Sequence, residues 1–127
     1  MPNILIVDDG ALITSWLTEI LIREDFDVEV VADERQAIKV YAEKRHNLIV
    51  THLRVSDGLE MIEEFLRLNP SVQILAIIGS ELVPPESVLN VANVFGPVRT
   101  LRKPFSMDVF LQTVADQLSE SGNRTEQ

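Results

Sequence analysis

Asn3-Ile-Leu-Ile-Val-Asp-Asp-Gly10 is the stretch from which the fold is read. Its apolar run is too short for a stable helix and stops on two acids and a glycine, a turn signal. A continuous apolar run of this length suits a strand covered on both faces, the environment of a parallel sheet. Immediately beyond it, Leu12, Ile13, Trp16, Leu17, Ile20 and Leu21 recur at helical spacing. Strand, acidic turn and amphipathic helix follow one another within some twenty residues, which is the opening of a βα unit.

Outward from this unit the same alternation continues. Asp27 to Val31 alternates polar and apolar, as a half-exposed edge strand does, and Asp33 with Gln36 has capping-box spacing before Ala37, Ile38, Tyr41 and Ala42. Asn47 to Thr51 is a third strand. Asp57-Gly58 leads into a helix burying Leu59, Ile62, Phe65 and Leu66, which stops near Asn69-Pro70. Val72 to Ile78 is a fourth strand. Pro84-Pro85-Glu86 suits the first turn of a further helix, and Val98 to Leu101 a short fifth strand. Ser106 reads as the N-cap of a last helix burying Phe110, Leu111, Val114 and Leu118. One domain is expected over residues 1–118, and a polar, disordered tail over 119–127.

Composition restricts what such a domain can do. The 127 residues are 46% apolar and 24% charged, enough apolar side chain to offset the chain entropy of one ordinary domain. Twenty acids against eleven bases leave a net charge of −9. Direct nucleic-acid binding needs clustered Lys and Arg to meet phosphates, so it is not expected, and the same sign disfavours anionic membrane surfaces. No apolar run is long enough to span a bilayer. The acidic N-terminus lacks the basic segment of a signal peptide, so a cytoplasmic location is expected. There is no cysteine, which removes disulfides, thiolate metal sites and thiol nucleophiles.

Five βα units without internal repeat imply a doubly wound α/β fold. Ligands of such sheets sit beyond the carboxyl ends of the strands. Four places qualify: Asp8-Asp9, His52, Ile78-Gly79 and Lys103-Pro104. No glycine-rich phosphate loop follows any strand, which leaves little support for dinucleotide or nucleotide binding.

At these four places the chain resembles the receiver domain of two-component response regulators. The resemblance runs from Asn3 to Leu118 and is carried by Ile4-Leu-Ile-Val-Asp-Asp9, Asn47-Leu-Ile-Val-Thr51 and Thr100-Leu-Arg-Lys-Pro-Phe105. It implies a five-stranded parallel sheet of order 2-1-3-4-5, a CheY-like fold. It also implies an Asp8–Asp9 acid pair able to help hold Mg²⁺, with Asp9 the direct ligand and the Arg54 backbone carbonyl a further one. Lys103 would pair with phosphate, and the bond to Pro104 is usually cis in the family.

The sequence departs from the family at its nucleophile. His52 stands where the phosphoaccepting Asp belongs, Ile78 replaces the usual Ser or Thr, and Thr100 the usual Tyr or Phe switch residue. The loop from His52 to Gly58 is short and lacks the common Met-Pro piece. Ser80 would supply a hydroxyl only if its loop slid. Three readings of His52 stay open: a structural substitution bonded to Asp8 or Asp9, an imidazolium imitating an occupied site, or a phosphohistidine or transition-metal ligand. His46 is expected in a solvated loop, Trp16 in the core, Lys103 as ion-pair partner or retained phosphate ligand, and Asp57 as a helix N-cap.

The expected function is two-component signalling by protein–protein contact, as a pseudo-receiver without phosphotransfer to Asp and without enzymatic activity. No cofactor is required, with weak Mg²⁺ binding at most. The expected partner is a histidine kinase, phosphotransferase or output domain, with homodimerisation open, and the family resemblance points to residues 85–118 as the contact surface. The alternatives are a competent phosphorelay receiver using His52 or another residue, and a small flavodoxin-like cofactor-binding protein.

Overall fold

The computed structural model describes residues 2–8, 11–52, 58–78, 98–102 and 105–126. Its strands are β1 (Asn3–Val7), β2 (Asp27–Val31), β3 (Leu48–His52), β4 (Ile74–Ile78) and β5 (Val98–Arg102). They form one parallel sheet of order β2-β1-β3-β4-β5. The described helices are α1 (Ala11–Arg23), α2 (Glu34–Lys44), α3 (Gly58–Leu68) and α4 (Met107–Glu126). The helix expected after Pro84 and the Asp57 N-cap lie outside the described residues.

The period of two in the strands divides the core. Ile4, Ile6, Leu48, Val50, Leu75 and Ile77 pack with Leu17, Ile20 and Leu21 of α1 and Phe110 and Val114 of α4. Leu5, Val7, Ile49, Ile74 and Ala76 pack on the other face with Tyr41 of α2 and Ile62 and Phe65 of α3. A residue between two helical layers has no exposed face, so the inner strands β1, β3 and β4 read as unbroken apolar runs. Strand β2 has one neighbour and alternates instead.

Local signals set the ends of these elements. Asp33 caps α2 in extended backbone, its carboxylate accepting from the Arg35 N–H at 3.0 Å. Ser106 caps α4, its hydroxyl oxygen accepting from the Val109 N–H at 3.1 Å. Helix α4 continues to Glu126, past Leu118, where its apolar stripe ends. Strand β4 starts at Ile74 rather than Val72, because the Val72 N–H is still held by the Asn69 carbonyl of the preceding turn at 3.0 Å. Strand β3 runs one residue beyond Thr51, so His52 is the last residue of the strand.

Two expectations fail. Trp16 is 40% exposed, not core: it sits at the margin of the α1 stripe, with its ring 5.8 Å from that of Phe105. His46 is 5% exposed, not solvated. Arg45 closes α2 in the left-handed region (φ 53°), its N–H donating to Tyr41 O at 2.8 Å. The next residue is thereby turned inward, where the His46 ring stacks on Tyr41 at 6.3 Å and its Nε2 lies 3.0 Å from Glu29 Oε1. Ala42, read as part of the α2 apolar side, is exposed.

Candidate functional site

Parallel strands end on the same side, so the four sequence-picked places fall on one edge of the sheet. Val7 is in register with Thr51, and the next residues of the two strands are Asp8 and His52. Neighbouring strands are about 4.8 Å apart, so Asp8 and His52 hold neighbouring backbone positions at the carboxyl edge. Asp8 is half-buried and its N–H donates to Val31 O at 3.1 Å, which anchors the first residue of the turn to the end of β2.

The far side of the edge is built by β4 and β5. His52 is in register with Ile77, and Ile78 with Arg102. Thr100, half-buried, is paired with Ala76, which is paired with Thr51. Thr100 therefore lies two residues below the end of β5, in a row of small side chains. Asp9, Arg54, Lys103 and Pro104 lie outside the described residues, so the fold brings together Asp8 and the strand positions of His52, Ile78 and Thr100. An aromatic series flanks this edge: Trp16 of α1, Phe105 before α4, and Phe110 within α4, with Phe105 and Phe110 centroids 5.9 Å apart.

The residue types that end β3 and β4 limit the chemistry of this edge. An imidazole can exchange a proton or accept a bond at nitrogen, but it has no carboxylate oxygen from which to form an acyl phosphate. An isoleucine at the end of β4 offers no hydroxyl to a phosphoryl oxygen.

The opposite, amino edge carries a second polar group that the sequence reading passed over. Glu29 Oε1 receives Lys44 Nζ and lies beside His46 Nε2, both at 3.0 Å. These hydrogen bonds, first from Lys44 and then from His46, hold the Glu29 carboxyl below its ordinary pKa against a small opposing effect of burial. Only the tertiary fold joins residues 15 and 17 positions apart, so no local pattern announced it.

Comparison with known proteins assigns this architecture. Residues 4–115 match the family model described as the response regulator receiver domain. The regulatory protein VirG of Agrobacterium fabrum is 28% identical over 116 residues, covering 90% of this chain and 45% of VirG. A putative NtrX-like response regulator of Rickettsia bellii is 29% identical over 110 residues, covering 84% of this chain and 22% of that protein. The chain thus spans less than half the length of these curated relatives. Among solved structures, a CheY-like receiver domain protein of Methanospirillum hungatei superposes with a TM-score of 0.86 at 23% identity, covering 98% of both chains. NtrX of Brucella abortus superposes with a TM-score of 0.88 at 21% identity over 98% of this chain and 28% of that one. A five-stranded 2-1-3-4-5 sheet, an acid closing β1 and a family match over nearly the whole chain agree: this chain belongs to the response regulator receiver domain family.

Proposed function

We propose that this receiver domain is a pseudo-receiver, which signals through contact with a protein partner and is not phosphorylated on Asp. The observation that carries the reading is the residue at the carboxyl end of β3, His52, at the strand position beside Asp8. A phosphoaccepting carboxylate would stand there, and its replacement removes the nucleophile. Ile78 at the end of β4 removes the hydroxyl, and Thr100 removes the aromatic switch. The partner class follows from the family: a histidine kinase, a phosphotransferase or an output domain, met in the cytoplasm.

Mg²⁺ fits this donor set poorly. The ion requires hard oxygen ligands in near-octahedral array, and here an imidazole replaces one of three carboxylates. By the family pattern Asp8, Asp9 and the Arg54 backbone carbonyl would be the remaining donors, so weak binding is expected and no chemical step depends on it.

Intact-mass measurement after incubation with a small-molecule phosphodonor and Mg²⁺ tests the reading, with His52→Asp run alongside. The wild-type chain is expected to gain no stable phosphoryl group, and the variant to gain one slowly. A phosphoryl adduct on wild-type His52 would overturn the proposal in favour of a working phosphorelay receiver. Rapid labelling of His52→Asp would show that Ile78 and the short loop impose no further block.

A further inference from the structure

At the amino edge, residues 44–47 tie several elements together. Lys44 reaches Glu29 of β2, Arg45 Nη1 donates to Leu68 O at the end of α3, and Asn47 exchanges hydrogen bonds with the Asn3 backbone of β1. His46 is the buried centre of this clasp, its side chain 2% exposed. Its Nε2 is satisfied by Glu29, but its Nδ1 is buried without a partner.

We propose that His46 is a proton-operated latch on edge strand β2: the neutral ring seals β2 against α2 and the start of β3, and the protonated ring leaves its slot toward the cavity beside Asp27. The neutral tautomer with its proton on Nε2 donates to Glu29 and buries only a lone pair at Nδ1. Protonation converts that lone pair into a charged N–H donor in a place with no acceptor, a far more costly burial. The Glu29 carboxylate attracts the charged ring at Nε2, but Lys44 already holds the same oxygen at 3.0 Å, which reduces what that attraction returns.

Among the described residues, the groups around the ring are Asp27 and Glu29 from β2, Tyr41 and Lys44 from α2, and Arg45 from the turn. The Arg45 guanidinium lies 5.7 Å over the Tyr41 ring, so a further positive charge flanks the stack. An exit exists. A half-open cavity of about 370 Å³ is lined by His46 together with Asn3, Asp27, Val28, Glu29 and Lys44, and Asp27 offers the departing imidazolium a carboxylate. Departure breaks the Tyr41 stack and the Glu29 contact and so loosens β2, an edge strand with one sheet neighbour, while the Lys44–Glu29 bond and the packing of Val31 remain.

Imidazole ¹⁵N spectra of the chain over a pH series from alkaline to acidic, with amide exchange corrected for its intrinsic pH dependence, test the latch. The expected result is an Nε2-protonated neutral ring at the alkaline end. At the acidic end an imidazolium should accompany several-fold faster exchange of the β2 and 44–47 amides relative to those of β4. His46→Phe keeps a ring against Tyr41 that cannot be protonated and should abolish the acceleration; Lys44→Met removes the competing cation and should reduce it. An imidazolium that forms with β2 protection unchanged, or an equal acceleration in His46→Phe, overturns the proposal. Should His46→Phe fail to fold, the wild-type and Lys44→Met measurements decide it.

Discussion

Glu29 shows how one side chain can tie stability to pH. Its carboxyl is held below the ordinary Glu range by hydrogen bonds from Lys44 and His46. The folded state therefore favours the charged form more than the unfolded state does. The part of this stabilisation that Lys44 supplies is complete above the unfolded value of about 4.3 and disappears as pH falls through the lower folded value. Lys44 is 56% exposed and Glu29 33%, so solvent screens the pair and Lys44→Met should cost about 0.5 kcal/mol at neutral pH. That difference in denaturant midpoint should vanish in strong acid, where Glu29 is protonated in both proteins. An equal difference at both ends would mean that Lys44 acts through packing instead. His46 shows why part of this was illegible. Lys44-Arg45-His46-Asn47 has the composition of a solvated turn, and only the left-handed Arg45 together with an acid from another strand puts the imidazole inside. His52 was legible in position, because an apolar strand leads directly to it.

Capping carries the argument at the scale of elements. Asp33 and Ser106 each accept an N–H that the first turn of a helix leaves unbonded. Asp33→Ala should destabilise the fold by about 1 kcal/mol, with Asp33→Asn restoring most of it, as read from urea midpoints. Both caps were visible as residue types before an apolar periodicity. The angular limit of that periodicity was less visible: Trp16 lies four residues before buried Ile20, yet its bulk spreads past the stripe onto Phe105. Trp16 is the single tryptophan of the chain, so its fluorescence reports this contact between α1 and the segment entering α4. Phe105→Ala should shift its emission to longer wavelength by uncovering the indole. Emission unchanged in that variant would show that Phe105 does not shield it.

At the scale of the molecule, a parallel sheet with helices on both faces has two cores that share the strands but few side chains. That arrangement was legible in the sequence because β1, β3 and β4 are apolar at successive positions, which only double coverage explains. That the four chosen places would share one edge was legible too, since parallel strands must end together. What the substitution at position 52 does to partner choice has no local signature, because partner surfaces are set by side chains spread over several elements. Phe65 of α3 and Phe110 of α4 are both fully buried, one in each core. Replacing either with Ala should cost about 3–5 kcal/mol. Because the sheet separates them, the two losses should add nearly in full. Their sum reaches the total stability of roughly 5–15 kcal/mol typical of a domain. Each single variant should therefore still melt cooperatively by circular dichroism, at a lower temperature, while Phe65→Ala/Phe110→Ala should show little or no cooperative transition. A double variant no less stable than the weaker single would mean that the two faces relax together through the strands, and that the sheet transmits packing changes from one core to the other.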